Sequence, residues 1–581
     1  MSLHPLTPRR DTFPATVLAF IAFPPLAVAV FLLSLYVLPP QAWVPTLSDV
    51  RAATPGFFLD VLSTLLRNAI QAPTLPARVL ALVAIPGEFL RNLQWFELTS
   101  SLMLRGSAAL LATLLLCGQI RSSLVTGIVE TPAVRHIRGH RLRMGRAAIR
   151  SLMASWQKRF GASHPGVRLT DDLTLPRAVE MEHILIVAGT GAGKTTIMQR
   201  LLDGALRLGD RALCIDVKGD FTARLPSEAF ALFSIDDARS VSWAIGQDIA
   251  TAEDAAELAI ELIPESSDPS WSSGARQVFS ALVRYLQSQA DGGPWSWSDL
   301  DDLLSRPIEE LHALLAPIAP VEASFIDVTG DTRKTAMSFY LVLVACAGQT
   351  AKSFAALDRN GTDEVSIKQW VLGRGGQQQV LILSQSPRSP ALSAQMLRIV
   401  LKIAADAAAD LAAHATPGPL WMFLDELPQI GKSQAILRLA AIGRSAGIRL
   451  VSAIQSPAQL REIYGRDAAQ HFLDNMTTKI VGRVATGETA EEISSTWIGD
   501  RTVSWRERVG TNQSSRPQFE TFTQEIPVVA PELLSDHLGR GFDPFGRPVV
   551  SALVLGHGDV ARLDWPVGQW RDRRPPYVPR S

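Results

Sequence analysis

From residue 184 onward, short uninterrupted apolar runs alternate with stretches in which apolar residues recur every three or four positions. Ile184-Leu185-Ile186-Val187, Ala212-Leu213-Cys214-Ile215, Val380-Leu381-Ile382-Leu383, Leu420-Trp421-Met422-Phe423-Leu424 and the run from Ile448 to Ile454 are the clearest. Runs this short, bounded by turn residues, predict strands buried on both faces. Helices between them make the connections crossovers, so the sheet is parallel and its ligands belong at the carboxyl ends of the strands. Lys479 to Val484 predicts one more strand, with a polar helix from Gly487 to Ile498 behind it.

Between 241 and 357 the strand signal nearly vanishes. Ala255, Ala256, Leu258, Ala259, Leu262 and Ile263 share a helical face, as do Val278, Leu282, Val283 and Leu286. Ser298 with Asp301 resembles a capping box. The pattern predicts an all-α domain over 241–357, inserted into an α/β domain made of 171–240 and 358–569. Trp295 and Trp297 are either base-stacking platforms or core packing, and packing is the commoner fate of a Trp in a helical domain. The tail, 570–581, is short, basic and rich in Pro, and reads as disordered.

The first 120 residues have another texture. No charge occurs from Thr12 to Ser48, and 13–38 is long enough to span a bilayer as transmembrane helix 1, kinked at Pro24 and Pro25. A signal peptide fits less well, because the apolar run is too long and no clean small-x-small site follows. Transmembrane helix 2 is expected at 98–120, with Arg105 able to snorkel. The connector 121–170 holds Arg121, Arg135, Arg138, Arg141, Arg143, Arg146, Arg150, Lys158 and Arg159 against Glu130 up to residue 160. That excess puts the side after helix 2 in the cytoplasm, and Arg9 and Arg10 put the N-terminal residues 1–12 there too. The segment 39–97 is then a small periplasmic piece. The basic stretch also suits a DNA contact, but its position makes topology the better explanation.

Composition agrees with a membrane portion joined to a globular one. Of 581 residues, 47% are hydrophobic and only 19% charged, and mean hydropathy is +0.14. A chain of this length calls for about two to four domains. Formal net charge is zero, so no global basic field advertises nucleic acid. Cys117, Cys214 and Cys346 lack metal-ligand or disulfide spacing, which fits a reduced compartment.

The chemistry concentrates after the strand at 184. Ala188-Gly189-Thr190-Gly191-Ala192-Gly193-Lys194-Thr195-Thr196 follows it and opens a helix at Ile197. Strand, Gly-rich turn and helix are the context a phosphate-binding loop requires. Glycines let successive N–H groups face an anion, and the positive helix end adds attraction. Lys194 would reach the β- and γ-phosphates of a nucleoside triphosphate, and Thr195 would ligate Mg²⁺. Ala188 replaces the first Gly of the usual pattern, which requires a negative φ there. Asp425 falls where an acid holds Mg²⁺ through water, and Glu426 is placed to take a proton from the attacking water. Gln455, at the end of the Ile448 strand, suits γ-phosphate sensing. Arg444, in Gly443-Arg444-Ser445-Ala446-Gly447, is expected near the edge of the nucleotide side as an arginine finger for a neighbouring subunit. The rival reading is an arginine complementing a helix dipole.

The ordered set of two spans, Ala-Gly-Thr-Gly-Ala-Gly-Lys-Thr at 188–195, an all-helical insertion, Leu-Asp-Glu at 424–426, Gly-Arg-Ser-Ala-Gly at 443–447 and Ala-Ile-Gln-Ser at 453–456 resembles the type IV secretion coupling proteins of the TraD/TrwB-like conjugation group. Pro176-Arg177 and Glu182-His183 resemble that family's approach to the loop. Thr332-Arg333-Lys334 is a looser match to a segment holding a basic residue near the adjacent subunit's nucleotide. The resemblance implies a RecA-like P-loop NTPase domain, an inserted all-α domain and an N-terminal two-helix anchor in the bacterial inner membrane. It further implies an ATP- and Mg²⁺-dependent homo-hexamer that receives relaxase-bound single-stranded DNA and feeds it to the type IV secretion channel. Two alternatives are an FtsK/HerA-type double-stranded DNA translocase and a nucleotide-gated recruitment platform for protein substrates.

Overall fold

A computed structural model of the chain describes residues 23–30, 57–95, 99–127, 134–226, 230–289, 293–329, 332–359, 363–375, 378–413, 418–511, 517–568 and 570–580. Two compact units emerge, 1–135 with 504–522 and 136–503 with 523–581.

The first unit is helical over most of its described length. Helix α1 (Phe57–Ile70) turns within a few residues into α2 (Leu75–Trp95), which carries Pro86 inside it, and α3 (Thr99–Gly127) follows. A turn this short folds α1 and α2 side by side. The expected span at 13–38 lies outside the described residues except for 23–30, which are helical. Of the expected span at 98–120, residues 99–120 fall within α3, whose apolar stretch is Gly106–Gln119, and residue 98 lies outside the described residues. Leu110, Leu111, Leu114 and Leu115 are exposed on it. Among the described residues, the helical stretch long and apolar enough to cross a membrane is 333–358. It passes that test as a core element, because Ala336, Leu343, Ala347, Ala351 and Phe354 are buried.

The second unit is built on one mixed sheet. Its strands are β1 (Leu142–Met144), β2 (Ile184–Val187), β3 (Arg211–Asp216), β4 (Phe230–Phe233), β5 (Val380–Ser384), β6 (Leu420–Leu424), β7 (Ile448–Ile454), β8 (Thr478–Val481), β9 (Gly539–Phe542), β10 (Pro548–Leu555) and β11 (Val560–Pro566). Their order is β1-β11-β10-β8-β2-β7-β6-β3-β5-β4, with β9 on β10. From β8 to β4 all pairings are parallel, while β10 joins β8 antiparallel. The apolar runs are buried on both faces because each face is covered: Leu185, Val187, Leu213 and Leu424 pack to one side, Ile184, Ile186, Cys214 and Phe423 to the other. Each such side chain contributes roughly 1.5–3 kcal/mol by leaving water.

Helix α4 (Gly145–Phe160) and β1 belong to this unit. Part of the expected connector is therefore sheet and core: β1 pairs with β11, and Ala148, Leu152 and Trp156 are buried. The basic residues of this stretch serve the fold as well, since Arg143 bonds Asp559 at 2.8 Å.

The insertion is helical as expected, with a two-stranded ribbon, Ser242–Trp243 against Glu364–Val365, at its base. Trp295 and Trp297 are core residues. Trp297 is fully buried, stacks on Phe354 with centroids 4.9 Å apart and lies 5.6 Å from Trp243. The base-stacking alternative is excluded by that burial. The capping box sits two residues before the expected place: Ser296 and Asp299 exchange the bonds. Asp299, not Asp301, occupies the third helical position, which is what the motif requires.

The described tail is ordered. Arg573 and Arg574 donate backbone N–H groups to the Ala223 carbonyl at 2.9 and 3.3 Å, Ala238 donates to Val578 at 2.9 Å and Arg580 to Asp236 at 2.9 Å. Arg574 lies over Phe230, 4.9 Å from the ring centroid. Composition missed this because the tail gains its order from partners far back in the chain, not from a core of its own.

Candidate functional site

Parallel register brings the carboxyl ends of β2, β7, β6 and β3 to one edge of the sheet. Val187 is level with Ile454, Leu424 with Ile215, and Ser384 with Asp216. The residues leaving those strands are Ala188, Gln455, Asp425 and Val217. Because β7 lies between the loop strand and the Asp425 strand, Gln455 emerges between the phosphate loop and the paired acids.

The loop has the backbone its glycines were expected to give. Gly191 and Gly193 have φ of 73° and 100°. A Cβ on Gly193 would lie 2.5 Å from Val550 Cγ2, so close packing adds to the conformational demand. Ala188 is not among the positive-φ residues, as its side chain requires, and it is buried. Helix α5 (Lys194–Arg207) begins within the loop, aiming its positive end at the same space. Lys194 folds back, donating to the Ala188 carbonyl at 2.8 Å. Burial is the largest influence on its ammonium and lowers its pKa, with Glu426 opposing.

Glu426 is the centre of the constellation. It is buried and held at φ 61°, in the left-handed region that costs a non-glycine residue of order 1–3 kcal/mol. Gln455 Nε2 donates to its Oε1 at 3.0 Å. Two ammonium groups, Lys194 and Lys218, each lie 3.7 Å from its Oε2. Thr190 Oγ1 is 3.5 Å from the Gln455 side-chain oxygen, joining the loop to the same network. Next to it, desolvation pushes the Asp425 carboxyl up to about 6, with Lys218 pulling the other way.

Asp425 Oδ2 is buried without a hydrogen-bond partner. Among the described residues no cluster of three or more His, Cys, Asp or Glu forms a dedicated metal cage. One orphaned carboxylate oxygen with the Thr195 hydroxyl on the loop fits the sparse protein donor set of Mg²⁺, which keeps waters and takes substrate phosphates for the rest.

Arg444 stands elsewhere. It precedes β7, at the amino-terminal end of the sheet, and its Nη1 is 3.7 Å from Glu182, which precedes β2. The expected place near the nucleotide edge of its own subunit is corrected: a turn entering a parallel strand lies at the opposite end from one leaving it. Lys334 is exposed in the all-α insertion, on the helix Arg333–Leu343. Lys218 carries no role in the sequence reading, where Lys218-Gly219-Asp220 only closes β3 and leads away. The signal was there in its position, since it leaves the strand next to β6.

Residues 169–533 match the family described as Type IV secretion-system coupling protein DNA-binding domain. Coupling protein TraD of Escherichia coli (strain K12) is 27% identical over 329 residues, which is 55% of this chain and 44% of that protein. The chain thus spans less than half the length of that curated relative. Among solved structures, the unbound monoclinic form of the bacterial conjugative coupling protein TrwBdeltaN70 is similar with a TM-score of 0.59 at 20% identity, covering 76% of this chain and 96% of that one. The plasmid coupling protein TrwB in complex with ADP and Mg²⁺ gives 0.57 at 20% identity, covering 77% and 98%. These structures share the α/β P-loop architecture with its helical domain. With the family match extending over well more than half of its length, this chain belongs to the type IV secretion-system coupling proteins.

Proposed function

We propose that the chain is a membrane-anchored ATPase that couples relaxase-bound single-stranded DNA to a type IV secretion channel and drives its transfer in conjugation. The observation that carries the hydrolytic part is the convergence of Lys194, Asp425, Glu426 and Gln455 at one sheet edge, with Glu426 bonded to Gln455 and facing two cations. The solved complexes of TrwB with ADP and Mg²⁺ and with ATP and GTP analogues support nucleotide as the ligand.

In this reading the loop N–H groups and Lys194 hold the β- and γ-phosphates of ATP. Thr195, and Asp425 through water, would hold Mg²⁺, whose charge would supply neutralisation of the phosphate oxygens. Glu426 takes a proton from the water that attacks in line, and Gln455 fixes the carboxylate's orientation. Arg444, lying at the end of the sheet away from its own loop, serves the site of the next subunit in a homo-hexamer. Hydrolysis then depends on assembly. Spans at 13–38 and 98–120 anchor the ring in the inner membrane with both termini and the NTPase unit in the cytoplasm.

The deciding experiment compares the full-length chain with Lys194→Ala and Glu426→Gln in detergent, with and without single- or double-stranded DNA, alongside mating assays. The expectation is normal membrane insertion of Lys194→Ala, no ATP turnover and no transfer. Normal transfer by that variant ends the motor assignment. Stimulation only by duplex DNA points to an FtsK/HerA-type translocase, and stimulation only by a partner protein to a recruitment platform.

A further inference from the structure

Lys218 sits where the loop lysine already sits: both ammonium groups are 3.7 Å from the same Glu426 oxygen. Phosphate binding recruits Lys194, because that is the role of a loop lysine. Glu426 then loses one of its two cations at the moment its carboxylate must be ionised and aimed. Lys218, which leaves a different strand, stays behind.

Its side chain is half exposed along the wall of a cavity of about 250 Å³ that it shares with Gln385 and Gln429. Packing around the side chain therefore does not hold it in place; the backbone does. On one flank, buried Asp216 accepts hydrogen bonds from the Thr222 backbone and hydroxyl, both at 2.7 Å, closing the turn 216–222. On the other, Gly219 takes φ 76° directly beneath Pro576, where a Cβ would come within 2.6 Å of the proline ring. The tail residues around Pro576 are clamped in turn. Arg224 Nε bonds Asp572 at 2.7 Å, Arg239 Nη1 bonds the Pro575 carbonyl at 2.9 Å, and Val578 N–H bonds Asp237 at 3.1 Å.

We propose that Lys218 is a positioning residue for ATP hydrolysis, holding Glu426 once Lys194 turns to phosphate, and that the strap 572–580 fixes it through Gly219. The inference rests on the hydrolytic role of Glu426 proposed above. It makes the tail a contributor to turnover without touching nucleotide.

The test uses the full-length chain in detergent, measuring kcat by phosphate release and Kd with a fluorescent ATP analogue. Lys218→Ala is expected to lower kcat by about 10–100-fold, the scale of a displaced catalytic group. Its Kd should stay within about twofold, as for an interaction that matters only in the transition state. Lys218→Arg restores most of the rate. Pro576→Gly lowers kcat in the parent and adds nothing in the Lys218→Ala background, since both act through one contact. Glu426→Gln is the control: if it turns over normally, the hydrolytic reading itself falls. If Glu426→Gln is dead while Lys218→Ala matches the parent, or loses affinity as much as rate, the positioning role is wrong. Additive effects of Pro576→Gly and Lys218→Ala remove the strap from it.

Discussion

Three side chains show how position decides chemistry at the residue scale. Glu426 would be an ordinary surface acid in a helix; here strand β6 ends beneath it, the backbone turns left-handed and two lysines face it. Replacing it with Gln should leave nucleotide affinity in place and lower kcat by about 10²–10⁴-fold, the range of a lost general base. Gly193 is constrained by both its φ of 100° and the approach of Val550, so Gly193→Ala should abolish nucleotide binding while far-ultraviolet circular dichroism stays unchanged. His557 is buried, bonds Thr478 at 2.8 Å and packs edge-on to Trp156, and desolvation lowers its pKa to about 4. His183 is lowered to about 4 in the same way, and its Nδ1 accepts from the Leu450 N–H, which requires the unprotonated ring. Between the ordinary value of 6.5 and about 4, the unfolded chain binds protons that the folded chain refuses. Both histidines thus stabilise the fold above that window, and the contribution drains away as the pH falls through it. His557→Gln should accordingly narrow the gap in Tm between pH 7.5 and pH 5; an unchanged gap means the ring is not held neutral.

At the element scale, strands and loop were readable because burial leaves a plain signature: an apolar run, then Gly or Asp. The phosphate loop and Asp425-Glu426 follow such runs, so their order along the sheet edge could be written down and their roles proposed. Strands β1, β9, β10 and β11 were not readable: β9, β10 and β11 pair with one another as chain neighbours, but β10 meets the sheet through β8 and β1 joins through β11, pairings remote in sequence that carry no local signal. Arg444 is a different case, since a residue in the turn entering β7 belongs at the amino ends of a parallel sheet, and its place was legible from the order alone. A second illegible device joins β3, β7 and the approach to β2. Glu180, fully buried, accepts from Val167 N–H at 2.6 Å, Arg177 at 3.1 Å and Arg449 at 3.0 Å, while Arg177 also pairs with Asp210 and Trp421 donates to Asp210 at 3.0 Å. Removing Arg449 leaves buried Glu180 with only Arg177, itself shared with Asp210, so Arg449→Met should cost roughly 3 kcal/mol in chemical denaturation. Adding Glu180→Met should recover part of that loss, and strictly additive costs would mean the pair is not coupled.

For the molecule as a whole, the family assignment and the sheet agree on an α/β P-loop architecture with its candidate site at one sheet edge and a helical insertion. The proposed anchor rests on sequence, through the uncharged run from Thr12 to Ser48 and the arginines after residue 120. Two spans with cytoplasmic ends predict that single cysteines introduced within 57–95 react with an impermeant thiol reagent from the periplasm, while those placed in 134–160 do not. Equal labelling of both sets contradicts that topology.

Strand β11 pairs with β1, and the strap 572–580 closes on residues 219–239. Each joins partners more than three hundred residues apart in synthesis. At about 5–20 residues per second, the ribosome holds the front half of this sheet incomplete for many seconds after making it. A message cut short before residue 560 therefore yields a polypeptide open at β10 and beside β4 alike, ready for proteolysis.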